Sequence, residues 1–72
     1  MYDKIYKETH WDNGNVFSKG YTLGGIKIGY WQGYHENGNL KWFATFDKDG
    51  IIVGYSEDYS YNGGLWSKEF YL

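Results

Sequence analysis

The chain has 72 residues, a formal net charge of -2 and no cysteine, so it offers one small domain, no disulfide framework, no thiolate metal site and no basic footprint for a phosphate backbone. Aromatic residues make up 24% of it, with nine tyrosines, four tryptophans, eleven glycines and no proline, a composition that points to twisted sheet joined by tight turns. No apolar run reaches the length of an export signal or a membrane span, and the first residues are polar and charged, so the expected compartment is the cytoplasm, with no membrane span and no nucleic-acid partner.

In chain order, turn signals fall at Asn13-Gly14, Gly24-Gly25, Asn37-Gly38, Asp49-Gly50 and Asn62-Gly63, separated by steps of 11, 13, 12 and 13 residues. Each segment between them, such as Ile5 to Trp11, Val16 to Thr22 or Val53 to Tyr61, is rich in aromatic and β-branched residues, as a strand should be. No segment of helical length carries an apolar stripe free of a nearby glycine pair. The expected fold is all-β, an antiparallel meander of about six strands.

The meander repeats. The three Asn-Gly sites stand 24 and 25 residues apart, and aligning them superposes His10, Tyr34 and Tyr59, then Val16, Leu40 and Leu65, then Gly29 and Gly54. The chain therefore reads as a single domain over residues 1–72 built from three hairpin repeats, approximately 4–25, 26–50 and 51–72. The first copy is the most divergent, with Ile5 in the glycine column and Lys7 where Trp31 stands, as suits a terminal repeat.

In the middle copy Asn37-Gly38 is expected to form a two-residue type I′ turn, since that turn needs positive φ at both central residues. Glu36 then faces Asn39, and the ladder runs outward with Gly33 opposite Trp42, Trp31 opposite Ala44 and Gly29 opposite Phe46. Each glycine there is expected to be covered by the aromatic across from it. The extra residue of the second copy is placed in the Lys48-Asp49-Gly50 turn, as a three-residue loop with Gly50 in the left-handed bulge position, which pairs Lys41 with Glu57. The same register sets Glu8 opposite Lys19 and Glu57 opposite Lys68.

The pattern Gly29-x-Trp31-x-x-Tyr34-x-x-Asn37-Gly38-x-Leu40, followed by Phe46, Gly50 and Gly54, resembles the MORN-type repeat, and more closely its bacterial variant in antitoxin-like proteins of the YwqK type. The resemblance implies stacked β-hairpins in an elongated sheet and a role in protein interaction or membrane association rather than catalysis. A weaker likeness is to the aromatic-glycine repeats of cell-wall-binding proteins, carried by Lys41-Trp42-Phe43 and Asp47-Lys48-Asp49-Gly50.

The candidates for chemistry have plain readings. His10 and His35 are the only histidines and occupy non-equivalent repeat positions, so both read as exposed or edge residues. Asp47-x-Asp49-Gly50 lacks the ligand pattern of a calcium loop and reads as a turn. No cofactor or metal is expected, and the chain is not expected to be an enzyme; a small enzyme would have to use His35. The tyrosines and phenylalanines of one sheet face, among them Tyr21, Tyr30, Phe43 and Tyr59, are expected to form the core. On the other face, tryptophans separated by small residues are expected to stand proud, which makes Trp31 and Trp42, bordered by Trp11, His35 and Phe46, the expected partner-binding residues. The partner is expected to be a protein, in the manner of an inhibitor or antitoxin-like accessory of a phage or mobile element, with a homodimer as the expected assembly. The alternative is a carbohydrate- or cell-wall-binding repeat.

Overall fold

The computed structural model describes residues 3–71 as one antiparallel sheet of six strands in the order of the chain: β1 (Ile5–His10), β2 (Val16–Leu23), β3 (Ile26–Tyr34), β4 (Leu40–Phe46), β5 (Ile52–Tyr59) and β6 (Leu65–Tyr71). Met1, Tyr2 and Leu72, which the expected single domain and charged N-terminus include, lie outside the described residues. Each strand touches only its sequence neighbours, and the molecule measures 41 × 31 × 10 Å, the thickness of a single layer. The all-β meander expected from the turn spacing is the fold that forms.

The turns after β1, β3 and β5 share one geometry, and it is not type I′. The Gly38 N–H donates to the His35 carbonyl at 2.9 Å and the His35 N–H to the Asn39 carbonyl at 2.8 Å. Gly38 has φ +92° while no non-glycine residue among those described has positive φ, so Asn37 stays right-handed and the loop holds three residues. His35 rather than Glu36 therefore closes the ladder against Asn39. An extra residue at Lys41 then restores the register: Tyr34 pairs with Leu40, but Gly33 pairs with Trp42, Trp31 with Ala44 and Gly29 with Phe46. The type I′ turn sits instead at Gly24-Gly25, where φ is +58° and +84° and Leu23 pairs with Ile26.

The turn after β4 has the expected three-residue loop, with Gly50 at φ +80° and the Asp47 carboxylate accepting the N–H groups of Asp49 and Ile51 at 2.8 and 3.0 Å. The expected Lys41–Glu57 pair does not form, because the register slips by two residues between Phe43 and Thr45 and leaves Glu57 opposite Phe43. Gly54, at φ +71°, lies in that slip; Gly29, at φ +69°, lies in the matching slip between β2 and β3. A Cβ at either glycine would meet no atom within 4 Å. Their conformation demands glycine, so Phe46 does not cover Gly29 in the way expected. Glu8 opposite Lys19 and Glu57 opposite Lys68 both form as expected.

The core lies on the face opposite to the one expected. Trp31 is 4% exposed and Ala44, its cross-strand partner, 3%, and Thr22 on β2 is buried too, whereas Tyr21, Tyr30 and Tyr55 are 41%, 51% and 54% exposed. Small residues do not leave a neighbouring tryptophan standing proud; they leave a floor onto which the indole lies flat. A Cβ at Gly20 would overlap the Trp31 ring, and one at Gly33 would overlap the Trp42 ring.

Candidate functional site

Of the residues expected to bind a partner, Trp31 is buried in the framework, and Trp11 and His35 brace one turn against the next repeat. Trp31 donates its indole N–H to the Tyr21 carbonyl of the neighbouring strand β2 at 2.8 Å, and Trp11, in the turn after β1, donates its own to the Tyr34 carbonyl at the end of β3 at 3.0 Å, tying the first repeat to the second. His35, in the repeat column of Trp11, makes the matching bond from Nε2 to the Tyr59 carbonyl at 2.9 Å; because a carbonyl only accepts, Nε2 carries the proton. Trp11, Trp42, His35 and Phe46 are all half-buried.

The turns on one side of the sheet stack through a second set of bonds. The Glu36 carbonyl receives the side-chain amides of Asn13 and Asn15 at 2.8 and 2.9 Å, and the Tyr61 carbonyl receives those of Asn37 and Asn39 at 2.8 and 3.1 Å. Asn37 also accepts the Asn39 N–H at 3.0 Å, so one side chain shapes its own turn and ties it to the next.

What remains open is the tyrosine face. Tyr30 packs on Phe43 with ring centroids 5.6 Å apart, Tyr6 on Tyr21 at 5.4 Å and Tyr55 on Phe70 at 4.8 Å, and these rings line a surface that nothing covers among the described residues. Cations lie over it: Lys4 over Tyr21, Lys19 over Tyr34 and Lys68 over Tyr55, at 4.7, 5.6 and 4.8 Å. Carboxylates hold the phenols, since Tyr6 donates to Glu8 and Tyr59 to Glu57. The bond from Tyr6, joined by His10, holds the Glu8 carboxyl below its ordinary range, and the same bond pushes the Tyr6 phenol up to about 12.

Between the second and third turns the framework leaves a hollow of about 480 Å³, open to solvent, lined by His35, Lys41, Asp58, Tyr61, Trp66 and Ser67 among others. It arises from repeat divergence: His35 stands where the first repeat has the larger Trp11, and Asp58 and Ser67 stand where the second has Gly33 and Trp42. Trp66 at its rim is 77% exposed. Of the residues expected to bind a partner, only His35 reaches it. The sequence carried the signal in the columns of the repeat, where a bulky residue gives way to a smaller one.

Among the described residues no group of three or more His, Cys, Asp or Glu is placed to hold a metal ion, and no helix is long and apolar enough to cross a membrane. Comparison with protein-family models, with curated proteins and with solved structures finds no match to this chain.

Proposed function

We propose that this chain is a non-enzymatic protein-binding module of the MORN-like kind, with the character of an inhibitor or antitoxin-like accessory protein, and that the tyrosine face is its contact surface. The observation that supports this is the exposure of Tyr6, Tyr30, Tyr55 and Phe70, at 49%, 51%, 54% and 57%, on one side of a sheet a single layer thick. Tyrosine suits such a surface because it buries a large area at small entropic cost and keeps a polar tip for orientation. The overlying lysines and the Glu8 and Glu57 carboxylates supply a charged rim to an aromatic centre.

Affinity capture from host extract, followed by calorimetry with the captured protein, tests the reading. Tyr30→Ser combined with Tyr55→Ser keeps the melting temperature within a few degrees and weakens binding by at least 100-fold, the loss of about 2.7 kcal/mol expected of two central aromatic anchors. Full binding by that variant would refute the face assignment.

A second reading rests on the hollow. Trp66 and Tyr61, both exposed, flank Asp58, Lys41 and Ser67, an arrangement suited to stacking a sugar ring while polar groups take its hydroxyls. Titration with oligosaccharides, read by tryptophan quenching that Trp66→Ala abolishes, separates this reading from the first.

A further inference from the structure

The sheet has two open edges, and the internal seams between repeats show how they fit each other. Where β2 meets β3, Ser18 pairs with Gly33 and Lys19 with Gln32; where β4 meets β5, Trp42 pairs with Asp58 and Phe43 with Glu57. In the repeat columns, Ser67 and Lys68 on β6 correspond to Ser18 and Lys19, while Thr9 and Glu8 on β1 correspond to Gly33 and Gln32. Among the described residues, β1 and β6 each have a strand on one side only.

We propose that a second copy of this chain docks head to tail, laying its β1 along β6 of the first and continuing the sheet in the register of the internal seams. That register sets Ser67 against Thr9 and Lys68 against Glu8 of the next copy and, carried on without the two-residue slip of the internal seams, Glu69 against Lys7, Phe70 against Tyr6 and Tyr71 against Ile5. The sequence makes every one of these couples complementary: two hydroxyls, two opposite-charge pairs of alternating polarity, two aromatic rings, and an aromatic ring with a branched aliphatic chain. The alternation matters, because it fixes the register as well as the partner.

Two departures from the repeat pattern fit this junction. The internal slips lie at Gly29 and Gly54, both at positive φ, but the same column holds Ile5 in β1, which has no positive φ, so in the proposed junction the pairing continues past that column to the end of β1. Trp31 lies over Gly20 at the internal seam, whereas the external seam holds Lys7 in the tryptophan column and Glu69 in the glycine column. A charge couple therefore replaces the indole, and the contact between copies is reversible and salt-sensitive where the contact between repeats is permanent. The turn stack also extends: Asn62 stands in the column of Asn13 and Asn37 with no turn-to-turn bond among the described residues, and the Asp12 carbonyl stands in the column of Glu36 and Tyr61.

A two-fold pairing of β6 with itself centred on Lys68 or Glu69 sets like charges opposite each other, as does one of β1 centred on Lys7 or Glu8. The head-to-tail contact is heterologous, so it closes into a ring or grows with concentration and does not stop at a two-fold dimer. It runs along the edges and engages the tyrosine face only at its two borders, through Tyr6 and Phe70 with the rim charges Glu8 and Lys68, and leaves Tyr30 and Tyr55, the anchors of the proposed protein-binding function, outside the junction.

Sedimentation velocity at low salt over a wide concentration range tests it, with circular dichroism melts confirming that each variant folds. The wild-type chain forms species larger than a monomer that dissociate as salt is raised. Lys7→Glu alone and Glu69→Lys alone each weaken association at least tenfold, since each sets like charges across the junction. An equimolar mixture of the two restores it, because Glu at position 7 of one variant then meets Lys at position 69 of the other. A wild-type monomer throughout, a mixture no better than its components, or a dimer indifferent to Lys7→Glu would each overturn the proposal; Tyr30→Ser leaves the association unchanged.

Discussion

At the scale of the residue, glycine serves two physically separate purposes in this chain. Gly20 and Gly33 are extended positions from which a side chain is excluded by an indole ring, while Gly29 and Gly54 are open positions whose positive φ excludes one. Gly20→Ala is accordingly expected to lower stability by about 1–3 kcal/mol through overpacking against Trp31, and Gly64→Ala, whose Cβ would lie 3.4 Å from Ser60 Oγ, to change it by less than about 0.5 kcal/mol, both read by urea denaturation. At Gly54 strain rather than space decides, so Gly54→Asn is expected to be better tolerated than Gly54→Ala.

The phenols make a further prediction. Tyr6 is held protonated by its bond to Glu8, so its folded-state value of about 12 lies above the ordinary 10.0. The stability it contributes is fully present below pH 10 and is lost as pH rises toward about 12. Glu8, held low by the same bond, contributes stability that is present above the ordinary carboxylate range and is lost as pH falls through its lowered value. Spectrophotometric titration at 295 nm is expected to show a late-ionising tyrosine that Tyr6→Phe removes; an unchanged titration in that variant would place the late phenol elsewhere.

At the scale of the element, the strands were legible and the turns only in part. Interior pairings such as Gly33 with Trp42 were reachable from a two-residue turn because two errors of one residue cancel: the loop holds three residues, and Lys41 bulges out of β4 to restore the count. A bulge of that kind leaves no mark in composition. The Gly54 slip leaves one, a glycine at the same distance before the second and third Asn-Gly turns, but a glycine there does not announce a slip; counting straight outward from the Lys48-Asp49-Gly50 loop therefore paired Lys41 with Glu57, where Phe43 faces Glu57 instead. The hollow was legible in principle, from the replacement of Trp11 by His35 along the repeat. Asn37, like Asn13 in the first repeat, both accepts the N–H two residues on and donates to a carbonyl of the next turn, here Asn39 N–H and the Tyr61 carbonyl. Asn37→Ala is expected to cost about 1–2 kcal/mol and to raise amide exchange in both the second and third turns; exchange confined to its own turn would contradict the stacked arrangement.

At the scale of the whole molecule, a single layer 10 Å thick cannot enclose both of its faces, so the chain must choose which aromatics to bury. The sequence pattern favoured the tyrosine face because it holds the denser run of large side chains. Packing favours the other, because rings seated over Gly20 and Gly33 fill space that tyrosines on a crowded face cannot. The tryptophan and glycine side is thus the framework, and the tyrosine side is the one left exposed.

The measurement that meets this claim most directly is urea denaturation of Trp31→Ala beside Tyr30→Ala, two adjacent residues pointing to opposite faces. Truncating buried Trp31 is expected to cost about 3–5 kcal/mol, enough to unfold much of the population, and truncating Tyr30 less than about 1 kcal/mol. A Trp31→Ala chain as stable as the wild type, beside a Tyr30→Ala chain that unfolds, would show that the two faces have been assigned the wrong way round.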